Sequence, residues 1–203
     1  MAADDVRRAR ILDTAERLFS QYGVRRTSMD LLATEAGVAK PTLYAYFGSK
    51  EDLFRSVVQE LIDAIIVEAE AVAGSSQPVD AKVRGILEAK FTRMYELVFS
   101  SAHAAELLES SDSQARDIAA EGDQHFRRIL TDVLLAAQSA RDLDLGRIGA
   151  STEELVDALM VAGHGASWNA DSAADHRLNI AGQVRFLLAG VSRPLSPGSV
   201  AAS

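Results

Sequence analysis

Residues 79–193 contain no proline, and no Asn-Gly or Asp-Gly pair occurs anywhere in the chain. A long tract without strand punctuation or hairpin turns, its apolar residues spaced three and four apart, has one economical reading. Strands need a period of two and frequent turn residues, whereas helices need an apolar residue on every turn. Ile11, Leu12, Ala15, Leu18, Phe19 and Tyr22 set the pattern at the N-terminal end. It repeats through the whole chain, so the fold class expected is all-α, with about nine helices.

Local signals place the ends of these helices. A first helix is predicted from about Val6 to Tyr22, with Gly23 as its C-terminal cap. A second begins at "TSMD", where Thr27 and Asp30 occupy capping-box positions, and ends at "EAGV", where Gly37 suits a left-handed turn. A short third covers roughly 39–47, tolerating Pro41 in its first turn. Ser49 and Asp52 form a second capping box and open a long helix to about Ala73. After "GSSQP", five more are predicted near 79–99, 102–110, 113–140, 152–170 and 174–190. The closing "SRPLSPGSVAAS" has the composition of a frayed tail.

Composition narrows the class of function. No apolar run approaches the roughly 18 residues of a membrane span, so no membrane partner is expected, and the charged start "MAADDVRRAR" is not a secretory leader. The absence of cysteine removes disulfides, thiolate catalysis and Cys-based zinc sites. A reducing, cytoplasmic setting fits. The formal net charge of −8 is uneven: residues 1–50 hold eight Lys/Arg against six Asp/Glu, the rest thirteen against twenty-three. An acidic body with a mildly basic head leaves room for one localised nucleic-acid contact at the N-terminal end.

The stretch "EAGVAKPTLYAYFGSKEDLF" carries the functional signal. Two short helices joined by a glycine turn form a helix-turn-helix signature, although a merely structural helical corner has the same spacing. Val38, Leu43 and Phe47 share a face that anchors the second helix to the first. Lys40, Thr42, Tyr44 and Tyr46 then project outward or along its edges, offering the hydroxyls and the cation that suit phosphate and base edges. Lys50 falls in the first turn of the following helix, where a cation opposes the helix macrodipole. A phosphate lying against that helix start would offset the penalty, and a solvated lysine is the plainer alternative. Thr27, Ser28 and their amides can meet phosphate in the same way, with Arg25 and Arg26 adding charge.

These residues carry a resemblance. "TSMDLLATEAGVAKPTLYAYFGSKEDLF", extended back through "ILDTAERLFSQYGV", resembles the signature of TetR-type transcriptional repressors over residues 10–55. The resemblance implies a homodimer with a three-helix DNA-binding head, residues 1–48, on an all-α ligand-binding and dimerisation body, residues 49–192, followed by a tail at 193–203. It implies phosphate contacts for Thr27, Tyr46 and Lys50, and base or groove contacts for Lys40, Pro41, Thr42 and Tyr44. Two positions depart from the family pattern: Ala39, where a capping serine is common, and Leu31, which is less polar than usual.

The resemblance also implies an effector pocket among the middle helices. Phe91, Met94, Tyr95, Phe99, His103, His125, Phe126 and Leu130 are its candidates, with core packing the alternative reading for the apolar ones. His103, Tyr95 and His125 are the groups able to orient a ligand by hydrogen bonds. Two pairs, His103 with Glu106 and Glu121 with His125, share helix faces, but the Glu-x-x-His pattern of a di-iron bundle is missing, so no metal or other cofactor is expected. "MVAGHGASWNA" concentrates small residues where a second backbone must come close, within the subunit or across a dimer. Leu155, Leu159, Gly163, Gly165, Trp168, Val184, Leu187 and Leu188 are the candidates for a dimer interface, which the resemblance places on the last two helices.

The function expected is therefore a ligand-responsive transcriptional regulator, a repressor, that binds a double-stranded inverted-repeat operator as a dimer and is released by a small-molecule effector. A helical-bundle enzyme is the competing class, but no nucleophile–base pair or phosphate loop is visible, and no catalytic residue is assigned. A dimeric interaction protein whose head no longer reads DNA is the third.

Overall fold

Each apolar stripe needs a partner surface, and the computed structural model, which describes residues 3–99, 113–168 and 170–192, shows how the helices supply it. Helix α1 spans Ala3–Tyr22, α2 Met29–Glu35, α3 Lys40–Tyr46 and α4 Lys50–Ala73. The helix expected at 79–99 forms as α5, Val79–Leu87, and α6, Arg93–Phe99, joined through a π-helical turn at Glu88–Thr92. Helix α7 spans Ser113–Ser139, α8 Thr152–Gly165 and α9 Ala173–Ala189, with a short 3-10 turn at Leu145–Arg147. Taking α5 and α6 as one interrupted helix gives eight among the described residues, near the nine expected. The helix expected at 102–110, with His103, and the tail from 193 lie outside the described residues. The fold is all-α; the β-pairing among the described residues is a single bridge between Leu143 and Ser192.

The glycine and serine punctuation acts as its chemistry requires. Gly23 and Gly37 take φ of +80° and +63°, the left-handed region that closes α1 and turns the chain between α2 and α3. The Ser49 hydroxyl accepts the Asp52 amide at 3.0 Å and starts α4. Ser151 and Glu154 form a reciprocal capping box at the start of α8, which holds the Glu154 carboxyl below the usual carboxylate range.

The chain divides into two compact units: Met1–Val67 with Arg93–His125, and Glu68–Thr92 with Phe126–Ser203. The first is built on Ile11, Leu12, Ala15, Leu18 and Phe19 of α1, packed with Leu32 of α2, Leu43 of α3 and Leu53 and Phe54 of α4. Surface ion pairs from Arg17 to Glu35 (2.9 Å) and Arg8 to Glu60 (2.8 Å) link α1 to α2 and α4. Being exposed, each contributes at most about 1 kcal/mol. Burial of the apolar stripe is the larger effect, at roughly 1.5–3 kcal/mol for each large side chain fully removed from water.

The second unit has its own core, in which Phe91 meets Phe126 edge to face at 6.3 Å, and the exposed His164 covers the Phe91 ring at 4.7 Å. Gly163 is what admits that ring. A Cβ built on it would lie 2.2 Å from Phe91 Cδ2, inside any tolerable contact. The helix-propensity gain of an alanine, up to about 1 kcal/mol, is outweighed by displacing a packed ring, which costs about 1–3 kcal/mol. Gly163→Ala is accordingly expected to lower the unfolding free energy by about 1 kcal/mol or more in urea titration; an unchanged or raised midpoint would show that the ring moves freely.

Candidate nucleic-acid interface

Helix α3 has seven residues, and its N-cap, Ala39, makes no side-chain cap. Packing therefore holds it. Leu43 is fully buried and Phe47 nearly so, with Val38 packed against the same cluster, which is the anchoring face expected from the spacing. The turn before it is fixed by Gly37 N to Thr34 O at 3.1 Å and Val38 N to Ala33 O at 3.0 Å. Arg8 lies over the Phe47 ring, its guanidinium carbon 5.7 Å from the centroid.

The cap of α2 differs from expectation by one residue. Ser28, not Thr27, is the N-cap, its hydroxyl accepting the Leu31 amide at 3.2 Å. Thr27 is 1% exposed and donates its hydroxyl to the Gly23 carbonyl at 2.9 Å, so it serves the turn and faces inward. Two adjacent hydroxyl residues satisfy the same sequence rule, and the buried one is taken by the main chain.

The outward residues of α3 are Lys40, Pro41, Tyr44 and Ala45, with Tyr44 43% exposed, while Thr42 and Tyr46 are half-buried. Lys40 Nζ pairs with Asp30 Oδ1 at 2.7 Å, which joins the first turns of α3 and α2 and raises the lysine pKa, chiefly through the hydrogen bond from its ammonium to Asp30. The pair's contribution is fully present below the ordinary lysine value and lost only as pH rises through the raised one, so it is constant near neutrality. Tyr46 donates its phenol to Asp4, a bond that raises the phenol pKa and keeps the proton on the oxygen. Neither acidic partner was read from the sequence. Asp4 is 42 residues from Tyr46 and no local pattern pairs them; Asp30 was given to the cap instead.

Lys50 begins α4, as expected, but its ammonium is directed at main-chain carbonyls of the turn between α1 and α2: Val24 at 2.9 Å, Thr27 at 3.2 Å and Arg25 at 3.5 Å. Those bonds offset the roughly 0.3–1 kcal/mol that a cation costs at a helix N-terminus. The same contacts set the turn, with the exposed Arg25 and Arg26, beside the start of α4. The Lys40–Asp30 pair and the Lys50 contacts thus tie together the turn, the α2 start, α3 and the α4 start, on which Arg25, Arg26, Ser28, Lys40, Pro41 and Tyr44 are exposed.

The remaining sequence candidates separate. Phe91, Phe126 and Leu130 are buried in the second unit; Tyr95, also buried, and the half-buried Met94 and His125 belong to the first. The side chain of Phe99 lies outside the described part of α6. Lys90 sits over the rings of Phe91 and Phe126, at 5.4 and 5.0 Å. Among the described residues no group of three His, Asp or Glu side chains is placed to hold a metal ion. Of the dimer candidates, Leu155, Leu159, Gly163 and Val184 are buried inside the second unit, as is Leu188, and Leu187 is half-buried. Gly165 has open space around it, and Trp168 is 90% exposed. Large apolar residues also stand outward where sequence reading did not place them: Val161 on α8, Leu178 and Phe186 on α9. Helix α9 buries His176, Ile180, Val184 and Leu188 on one face and exposes Leu178 and Phe186 on the other. A helix apolar on two faces needs two partners, a signal the sequence held.

Residues 11–57 match the profile of the family "Bacterial regulatory proteins, tetR family". The transcriptional activator FasR of Mycolicibacterium smegmatis is 27% identical over 194 residues, covering 93% of this chain and 84% of its own length. A TetR-family regulator from Mesorhizobium loti superposes with a TM-score of 0.73 at 16% identity, covering 95% of this chain and 100% of its own. The FadR regulator of Bacillus subtilis, solved with stearoyl-CoA, superposes with a TM-score of 0.67 at 18% identity, covering 90% and 98%. At these identities the two structures establish likeness of fold.

Proposed function

This chain belongs to the tetR family of bacterial regulatory proteins, transcription regulators and not enzymes, and from that premise we propose that it is a ligand-responsive repressor acting as a homodimer on an inverted-repeat operator. The observation that carries the reading is α3: a helix too short to stand alone, anchored by Leu43 and Phe47, with Lys40, Pro41 and Tyr44 turned outward. Lys40 and Tyr44, with Thr42 at the edge, are the base or groove contacts in this reading. Arg25, Arg26, Ser28 and Tyr46 are the phosphate contacts, Tyr46 exchanging Asp4 for a phosphate oxygen.

The head, residues 1–48, reads DNA; the body, residues 49–192, dimerises and takes the effector. The outward side chains of α8, of the turn after it and of α9 (Val161, Trp168, Leu178 and Phe186) supply the dimer contact, because they are large apolar groups exposed to water among the described residues. A small molecule held in the body releases the operator by binding the non-reading state more tightly. Moving a dimer from 99% to 1% competent needs about 5.5 kcal/mol of such difference. The stearoyl-CoA bound by the FadR neighbour makes a long-chain acyl-CoA the first effector to try.

The test is selection of source-genome fragments by ligand-stripped protein at several salt concentrations. The expected result is enrichment of an inverted repeat with half-sites about one or more helical turns, about 34–36 Å each, apart; no enrichment at any salt would overturn the DNA-binding reading. For the dimer, Phe186→Asp is expected to give a folded monomer in sedimentation, since the residue is 76% exposed in the subunit. A variant that still sediments as a dimer would exclude this face.

A further inference from the structure

The carbonyls around Lys50 belong to the turn at 23–28, outside the helical hydrogen-bond ladders. An ammonium has three N–H donors and no acceptor. The oxygens of Val24, Thr27 and Arg25, at 2.9, 3.2 and 3.5 Å, occupy all three. A phosphate oxygen at this nitrogen would have to displace one of them. The turn is pinned from its other side as well, by the buried Thr27 hydroxyl on Gly23 O at 2.9 Å. Its last carbonyl acceptor, that of Thr27, directly precedes Ser28, the cap of α2. At the other end of the lysine, Ser49 and Asp52 fix the backbone of α4's first turn.

We propose that Lys50 is a positioning residue: its ammonium ties the first turn of α4 to the turn that leads into α2, and operator affinity depends on it through the placement of the reading helices, not through a phosphate contact. The proposal rests on the DNA-binding reading above. Its consequence is mechanical. A displacement at the start of α4 draws on the turn carrying Arg25, Arg26 and the Ser28 cap, so the tether carries such a movement to the residues facing DNA.

The test uses full-length Lys50→Met, which keeps the apolar stem and removes the donors, and Lys50→Gln, which keeps two N–H donors without the charge. Without DNA, amide exchange over residues 24–31 is expected to be at least about tenfold faster in Lys50→Met and intermediate in Lys50→Gln. With the selected operator, Lys50→Met is expected to lose about tenfold or more in affinity while log K against log salt keeps its slope. A slope shallower by about 0.9 in either variant would mean a lost phosphate contact and would overturn the proposal. Unchanged exchange in Lys50→Met would overturn it too, and if that variant fails to fold, wild-type exchange in Lys50→Gln serves as the same refutation. The exchange measurement needs no DNA. Failure of the wild-type protein to select an operator would therefore tell against the function and leave the tether standing.

Discussion

A seven-residue helix is not stable by itself: nucleation is costly, and isolated helices under about 12–15 residues are marginal in water. The DNA reading proposed for this chain depends on α3, which has that length and no side-chain cap. Its stability is borrowed from burying Leu43 and Phe47 in the socket formed by α1, α2 and α4. The outward surface of α3 thus depends on the packing of α1, α2 and α4 around it. The anchor residues of α3 leave Lys40, Pro41 and Tyr44 outward because a helix that commits one face to a core must present the other.

On that scaffold the polar side chains are occupied rather than idle. Lys40 holds Asp30, Tyr46 holds Asp4 and Lys50 holds the turn carbonyls. The first two are surface contacts of small net energy, so a phosphate or base edge can replace the acidic partner at little cost while the side chain starts near its working place. The third differs in kind. Its acceptors are main-chain carbonyls of a turn, and on the proposed reading that distinction separates a residue that contacts DNA from one that shapes the surface.

Much of the architecture was legible because it rests on local rules. Gly23 and Gly37 have the left-handed φ their positions required, Ser49 caps α4, and the anchoring face of α3 is the one its spacing gave. The misses share a cause: they depend on partners distant in sequence. Thr27 and Ser28 are equally good caps on paper, and only the Gly23 carbonyl decides between them. The carbonyl partners of Lys50 were not read because nothing local shows a turn 23–26 residues upstream. The small residues of "MVAGHGASWNA" signalled close approach correctly at Gly163, but the approaching group is the Phe91 ring of the same chain. The outward pair on α9, Leu178 and Phe186, was hidden by the stronger buried stripe through Ile180 and Val184.

The central claim is that two copies of this head, held by one dimer, read DNA together through α3. Hydroxyl-radical footprinting on the selected operator measures this directly. Two protected patches related by a two-fold axis, centred about 34–36 Å or a multiple apart on one side of the duplex, are the result expected. A single asymmetric patch, or uniform protection without register, would contradict it.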